Sequence, residues 1–111
     1  MSDPTIPIRK VAQVIVMGHE LERAEPELRA FIERMPEDEQ AELVAIMWIG
    51  RGAFDAEDWP EAVATAEAEA TTPTADYLIG TPHLSDHLEA GLESLGLSPG
   101  DEEEALMSGR D

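Results

Sequence analysis

The chain has 111 residues, with 25 Asp or Glu against 7 Lys or Arg, a formal charge of −18, and no cysteine. That length fits one domain with a single modest core; the charge disfavours nucleic acid and anionic membrane as partners, and the lack of thiols excludes disulfides, thiolate zinc sites and cysteine nucleophiles. The acidity suits basic proteins, cations or partners that meet an uncharged patch, and with six Arg to one Lys and abundant Ala its plainest meaning is solubility in a GC-rich or salt-tolerant bacterium.

Residues 1–7, with Pro4 and Pro7, read as a short arm without the small-residue cleavage site of a signal peptide. From Ile8 the apolar positions Ile8, Val11, Val14, Ile15, Gly18 and Leu21 recur at helical spacing and predict a helix from about Pro7 to Leu21. Glu22 to Glu27 reads as a polar connection. Leu28, Phe31, Ile32 and Met35 then predict a short helix from about Pro26 to Arg34, stopped because Pro36 disfavours helical geometry at Met35.

The stretch Glu37 to Phe54, EDEQAELVAIMWIGRGAF, holds the densest apolar segment, Leu43 to Ile49, far short of the roughly 18 residues that a membrane span needs. Its acidic first turn suits the positive end of a helix dipole. The segment that follows is apolar on every face and predicts the central helix of a bundle. Gly50 is expected to end this helix in a left-handed cap, with Arg51 reaching its last carbonyls.

Asp55 is expected to cap the next helix, with Asp58 completing an approximate capping box and Pro60 in the first turn. Trp59, Ala62, Val63, Ala66 and Ala70 supply its stripe. Thr72-Pro73-Thr74 breaks the pattern, and Tyr77, Leu78 and Ile79 form a short helical turn closed by Gly80. Thr81 is expected to cap the last helix with Pro82 at its first position; Leu84, Leu88, Leu92 and Leu95 form its stripe, ended by Gly96 and Pro99. Residues 98–111 read as an acidic flexible tail. No strand-like alternation occurs, so the expected fold is all-α: one helical domain over residues 1–97, a bundle of about four main helices plus short helical turns.

Asp38 to Gly52 (DEQAELVAIMWIGRG), the Phe54 to Trp59 turn and Ala75 to Gly96 (ADYLIGTPHLSDHLEAGLESLG) together resemble a bacterial family of domains of unknown function, number 3775. The resemblance covers roughly residues 26 to 96 and implies a compact helical bacterial domain, with no catalytic activity attached. In the family pattern the positions of His83 and His87 tend to be apolar or aromatic, so chemistry built on these two histidines would be particular to this chain.

Three groups carry candidate chemistry. His83 and His87, four apart with Asp86 between them, have the spacing of two imidazoles on one helix face and distantly echo an inverted zinc-protease pattern, but Asp86 is shorter than the usual Glu and no spacing marks a third ligand. Gly50-Arg51-Gly52 offers a guanidinium fork between flexible residues, without the length or the Lys-Ser/Thr pair of a phosphate loop; its structural role would be to cap the central helix and pair with Asp55, Asp58 or Asp86. Asp55, Glu57 and Asp58 lack the glycine and the terminal Glu of a calcium loop and read as capping residues. Trp48 and Trp59 bracket the Gly-Arg-Gly turn and outline a groove with Tyr77.

The resulting expectation is a cytoplasmic, non-enzymatic interaction or regulatory module that uses no cofactor or metal. It would present Arg51, Phe54, Trp59 and Tyr77 to a protein partner or a second copy of itself. The alternative is a metal-dependent protein or hydrolase built on His83, Asp86 and His87. A weaker alternative is a nucleic-acid mimic whose carboxylates stand in for phosphates.

Overall fold

Nine successive residues, Ala41 to Ile49, are buried, so one helix is enclosed on all sides, as its apolar sequence requires. The structure is a computed structural model that describes residues 4–69 and 72–97. Its helices are α1 (Ile8–His19), α2 (Leu21–Glu33), α3 (Glu37–Arg51), α4 (Trp59–Ala68), α5 (Thr74–Ile79) and α6 (Leu84–Ser94), with a 3₁₀ turn at Ala56–Asp58. Every regular element among the described residues is helical, and the fold is all-α. The stripe position Ala70 and the acidic segment 98–111 lie outside the described residues.

The central helix α3 packs against α6 on one side and α4 on the other, while α1 packs on α2 and α6, and α2 on α5. The leucine stripe of α6 faces inward, with Leu88 and Leu92 fully buried and Leu84 nearly so. Where α3 and α6 cross, backbone meets backbone. A Cβ added at Gly50 would overlap the carbonyl of His87 and crowd the amide of Gly91, and one added at Gly91 would overlap the carbonyl of Ile46. The two glycines therefore bring the helix axes together.

Gly50 thus serves a crossing and not the cap expected of it. The helix continues one residue further, and Gly52, at φ 93°, takes the left-handed conformation. Its N–H donates to the carbonyl of Ile49 and that of Ala53 to the carbonyl of Trp48, at 3.1 and 2.9 Å, which is the paired closure of a Schellman motif. Gly96, at φ 78°, ends α6 in the same way, with Leu97 N–H donating to the Leu92 carbonyl at 2.7 Å.

Three further boundaries differ from expectation. α2 begins at Leu21 and contains Pro26. The ring removes the bond to the Glu22 carbonyl, but both residues are exposed, so water can reach that carbonyl while Leu28 and Ile32 fix the helix in the core. Asp55 makes no side-chain cap bond; it precedes the 3₁₀ turn, and α4 starts at Trp59. Thr81 is no cap either. Its hydroxyl donates to the Tyr77 carbonyl at 2.8 Å, and α6 starts three residues later, after His83 in a left-handed conformation at φ 59°.

Two buried polar side chains, Glu42 and Ser85, each tie an outer element to the core. Pro4 and Pro7 have no N–H, so the arm between them offers just two amide donors, Thr5 and Ile6. Both donate to Glu42 Oε1, at 2.9 and 2.7 Å, while the Thr5 hydroxyl donates to Glu42 Oε2 at 2.8 Å. Ile6 is thereby held at 3% exposure, and the arm is a fastened part of the fold. Lys10 adds a 2.7 Å ion pair to Glu39. At the other end of α1, Ser85 Oγ donates to the Ile15 carbonyl at 2.7 Å. Across α2 and α5, Arg29 is hydrogen-bonded to Asp76, which, with Glu25 also nearby, raises its pKa above the ordinary value.

Glu42→Gln keeps an acceptor for both amides and an NH₂ group that the Thr5 hydroxyl can accept from, so it is expected to cost about 0.5–1 kcal/mol; Glu42→Leu strands both amides and is expected to cost about 2 kcal/mol or more. Urea unfolding measures the two losses, and hydrogen exchange at the Ile6 amide should accelerate only in the leucine variant. Replacing a helical glycine by alanine ordinarily gains about 0.5–1 kcal/mol. Gly50→Ala should reverse that sign and cost on the order of 3 kcal/mol because two backbones must separate. Gly52→Ala, with open space around it, should lose only about 1 kcal/mol to its positive φ.

Candidate functional site

Within the buried run of α3, where Ala45, Ile46 and Met47 are at 0% exposure, Ala41, Val44 and Trp48, each at 7–8%, line a groove on one side of the helix. These three lie at i, i+3 and i+7 and so share a face. With Ala66 of α4 they floor this groove, of about 910 Å³, between α3, α4 and α5. Pro73, Thr74 and Tyr77 form the α5 wall. Glu37 and Asp38 from the first turn of α3, and Glu67 and Glu69 from the end of α4, stand along the rim. Among the described residues no Lys, Arg or His lines this groove.

The aromatic end of the groove is fixed by contacts among its own members. Trp48 Nε1 donates to the Tyr77 hydroxyl at 2.9 Å, which leaves the phenol proton free to donate in turn. Phe54 stacks on Trp48 with centroids 5.7 Å apart and an interplanar angle of 28°. The indole is therefore held between α5 and the loop that follows α3, and its orientation is set before any ligand arrives.

The sequence-predicted patch is only partly assembled. Tyr77 lines the groove and Phe54 supports its floor. Trp59 is 3% exposed and belongs to the core. Arg51 is exposed at the end of α3, and among the described residues it has no carboxylate within 4.0 Å, so the expected pairing with Asp55, Asp58 or Asp86 is not formed. The four rim acids were not visible as a group in sequence, because they come from two helices and each alone reads as a solvated or capping residue.

The histidine pattern also changes. His83 precedes α6 in a left-handed conformation, so His83 and His87 do not sit one turn apart on a helix face as their spacing suggested. Instead, among the described residues, the group of His, Asp and Glu whose ligand atoms lie within 4.8 Å of one another is His19, Asp86 and Glu89, all exposed. His83 Nδ1 is 3.9 Å from Asp86 Oδ2. No sequence signal could have joined His19 to α6, since the packing of α1 on α6 makes the contact.

Among the described residues no helix is long and apolar enough to cross a membrane. No curated protein and no solved structure matches the chain significantly. Residues 25–97 match the family described as Protein of unknown function (DUF3775), a segment that runs from within α2 to the close of α6 and holds every residue that lines the groove. The chain belongs to this family.

Proposed function

We propose that the chain is a non-enzymatic binding module of the bacterial cytoplasm whose groove between α3, α4 and α5 receives a basic, amphipathic segment of a partner protein. The observation that carries this reading is the pairing, among the described residues, of an apolar floor, Ala41, Val44, Trp48 and Ala66, with a rim of four carboxylates and no cation. A segment with apolar residues on one face and Lys or Arg on the other meets both features at once. The apolar contacts supply affinity at a preset indole, and the rim supplies orientation and a faster encounter. The chain's overall charge of −18 extends the attraction beyond the groove, but that long-range part is screened within about 8 Å at physiological salt. The floor and rim must therefore provide the specificity. Tyr77 contributes its free phenol proton, and Phe54 acts through Trp48.

The test is calorimetry with a short Leu/Lys amphipathic helical peptide at physiological salt. Binding is expected, as is none for the same peptide with Glu in place of Lys. Reversing charge in the rim, with Glu67→Lys and Glu69→Lys together, should weaken binding by at least about tenfold more than the same charge change at Glu22 and Glu33 on α2. Equal losses from the two pairs would show diffuse attraction to an acidic surface and would overturn the groove as the site.

A further inference from the structure

We propose that His19, Asp86 and Glu89, completed by His83, form a surface site for a late first-row divalent cation such as zinc. The site stands on the buried tie between α1 and α6. Ser85 Oγ donates to the Ile15 carbonyl at 2.7 Å, and Gly18 lies so close to Ser85 that a Cβ there would overlap its hydroxyl. The next residue of each pair, His19 after Gly18 and Asp86 after Ser85, is exposed, so the tie fixes the backbone beneath both side chains. Glu89 lies three residues beyond Asp86 on α6, on the same face.

The donor atoms are already gathered. Those of His19, Asp86 and Glu89 are within 4.8 Å of one another; His19 Nε2 is 3.8 Å from Glu89 Oε2, and His83 Nδ1 is 3.9 Å from Asp86 Oδ2. Zinc bonds of about 2.1 Å in a tetrahedron set ligand atoms about 3.4 Å apart. For His19, Asp86 and Glu89, closing the gap takes an ångström or so of rotamer adjustment by exposed side chains, with no movement of either helix; His83, which touches the group only through Asp86, swings further to join them.

The chemistry favours a cation over a simple ion-pair cluster. Asp86 and Glu89 bring two negative charges together, and among the described residues neither has a Lys or Arg within 4.0 Å. Imidazole is a weak counter-ion near neutral pH but a good ligand when neutral. Two imidazoles with two carboxylates suit zinc and its neighbours better than magnesium or calcium, which take oxygen donors. His19, His83 and Asp86 also line a cleft of about 360 Å³ between the end of α1 and the start of α6, so an ion can reach the site from solvent. His87, the other histidine of the sequence pattern, is not in the set.

The experiment uses the full chain without an affinity tag. Cobalt(II) is titrated while its visible absorption is followed, and zinc by calorimetry, both with excess magnesium present. One ion per chain is expected, held against magnesium and with absorption of a nitrogen-containing, low-coordinate site. His19→Ala should weaken binding by at least about tenfold and His83→Ala by a smaller factor, whereas His87→Ala should leave it unchanged. All three side chains lie at the surface or partly so, and circular dichroism melting confirms that each variant keeps its fold. Wild-type affinity in His19→Ala, or several ions per chain that magnesium displaces, would overturn the site.

Discussion

The rest of the structure depends on the distance at which α3 and α6 cross. Gly50 and Gly91 let the two backbones touch, and that approach encloses a helix which is apolar all round in a domain too small to surround it with larger side chains. A methyl group at either glycine would push the helices apart and open the core along Ile46, Leu88 and Leu92, which are fully buried. The close crossing on one side also decides what happens on the other. With α6 seated tightly, α3 turns Ala41, Val44 and Trp48 toward the gap between α4 and α5, and these become the floor of the groove.

The outer elements are fastened by polar groups used sparingly. Glu42 is buried at the head of the most apolar stretch of the chain, where an unpaired carboxylate would be costly. It is satisfied by the two amides that Pro4 and Pro7 leave available. Ser85 does the same for the end of α1. No buried side-chain polar atom among the described residues lacks a partner. These ties set the positions of α1 and of the loop before α6, and so place His19 beside Asp86 and Glu89. Both candidate sites are consequences of packing decisions made in the core.

Much of the fold was legible in the sequence. The apolar run Leu43 to Ile49 marked the central helix, and the leucine spacing from Leu84 marked the last one, because burial on all faces and burial on one face leave different patterns. The glycines around Arg51 were harder. Both suit a left-handed cap by conformation, and only the approach of α6 reveals that Gly50 is needed for space while Gly52 is needed for its φ. Pro26 misled because local geometry places proline at a helix start, whereas the burial of Leu28 and Ile32, with Glu22 and Pro26 on the exposed face, allows it inside. Trp48 and Tyr77 were read as groove residues together with Trp59, but Trp59 is buried in the core because it is the first apolar residue of the α4 stripe. The acidic rim and the His19 cluster were not legible, since each joins residues from helices far apart in sequence, and their meeting is a property of the packing.

The central claim is that the α3, α4 and α5 face is a binding surface with a preset indole at its end. Two-dimensional NMR of the ¹⁵N-labelled chain, titrated with a basic amphipathic peptide, tests it most directly. The account predicts saturable shifts concentrated at the amides of Ala41, Val44, Ala66 and Thr74 and at the Trp48 indole, with α1 and α2 unperturbed. Shifts spread evenly over the acidic surface, or centred on α1 and α2 with the Trp48 indole unmoved, would contradict it.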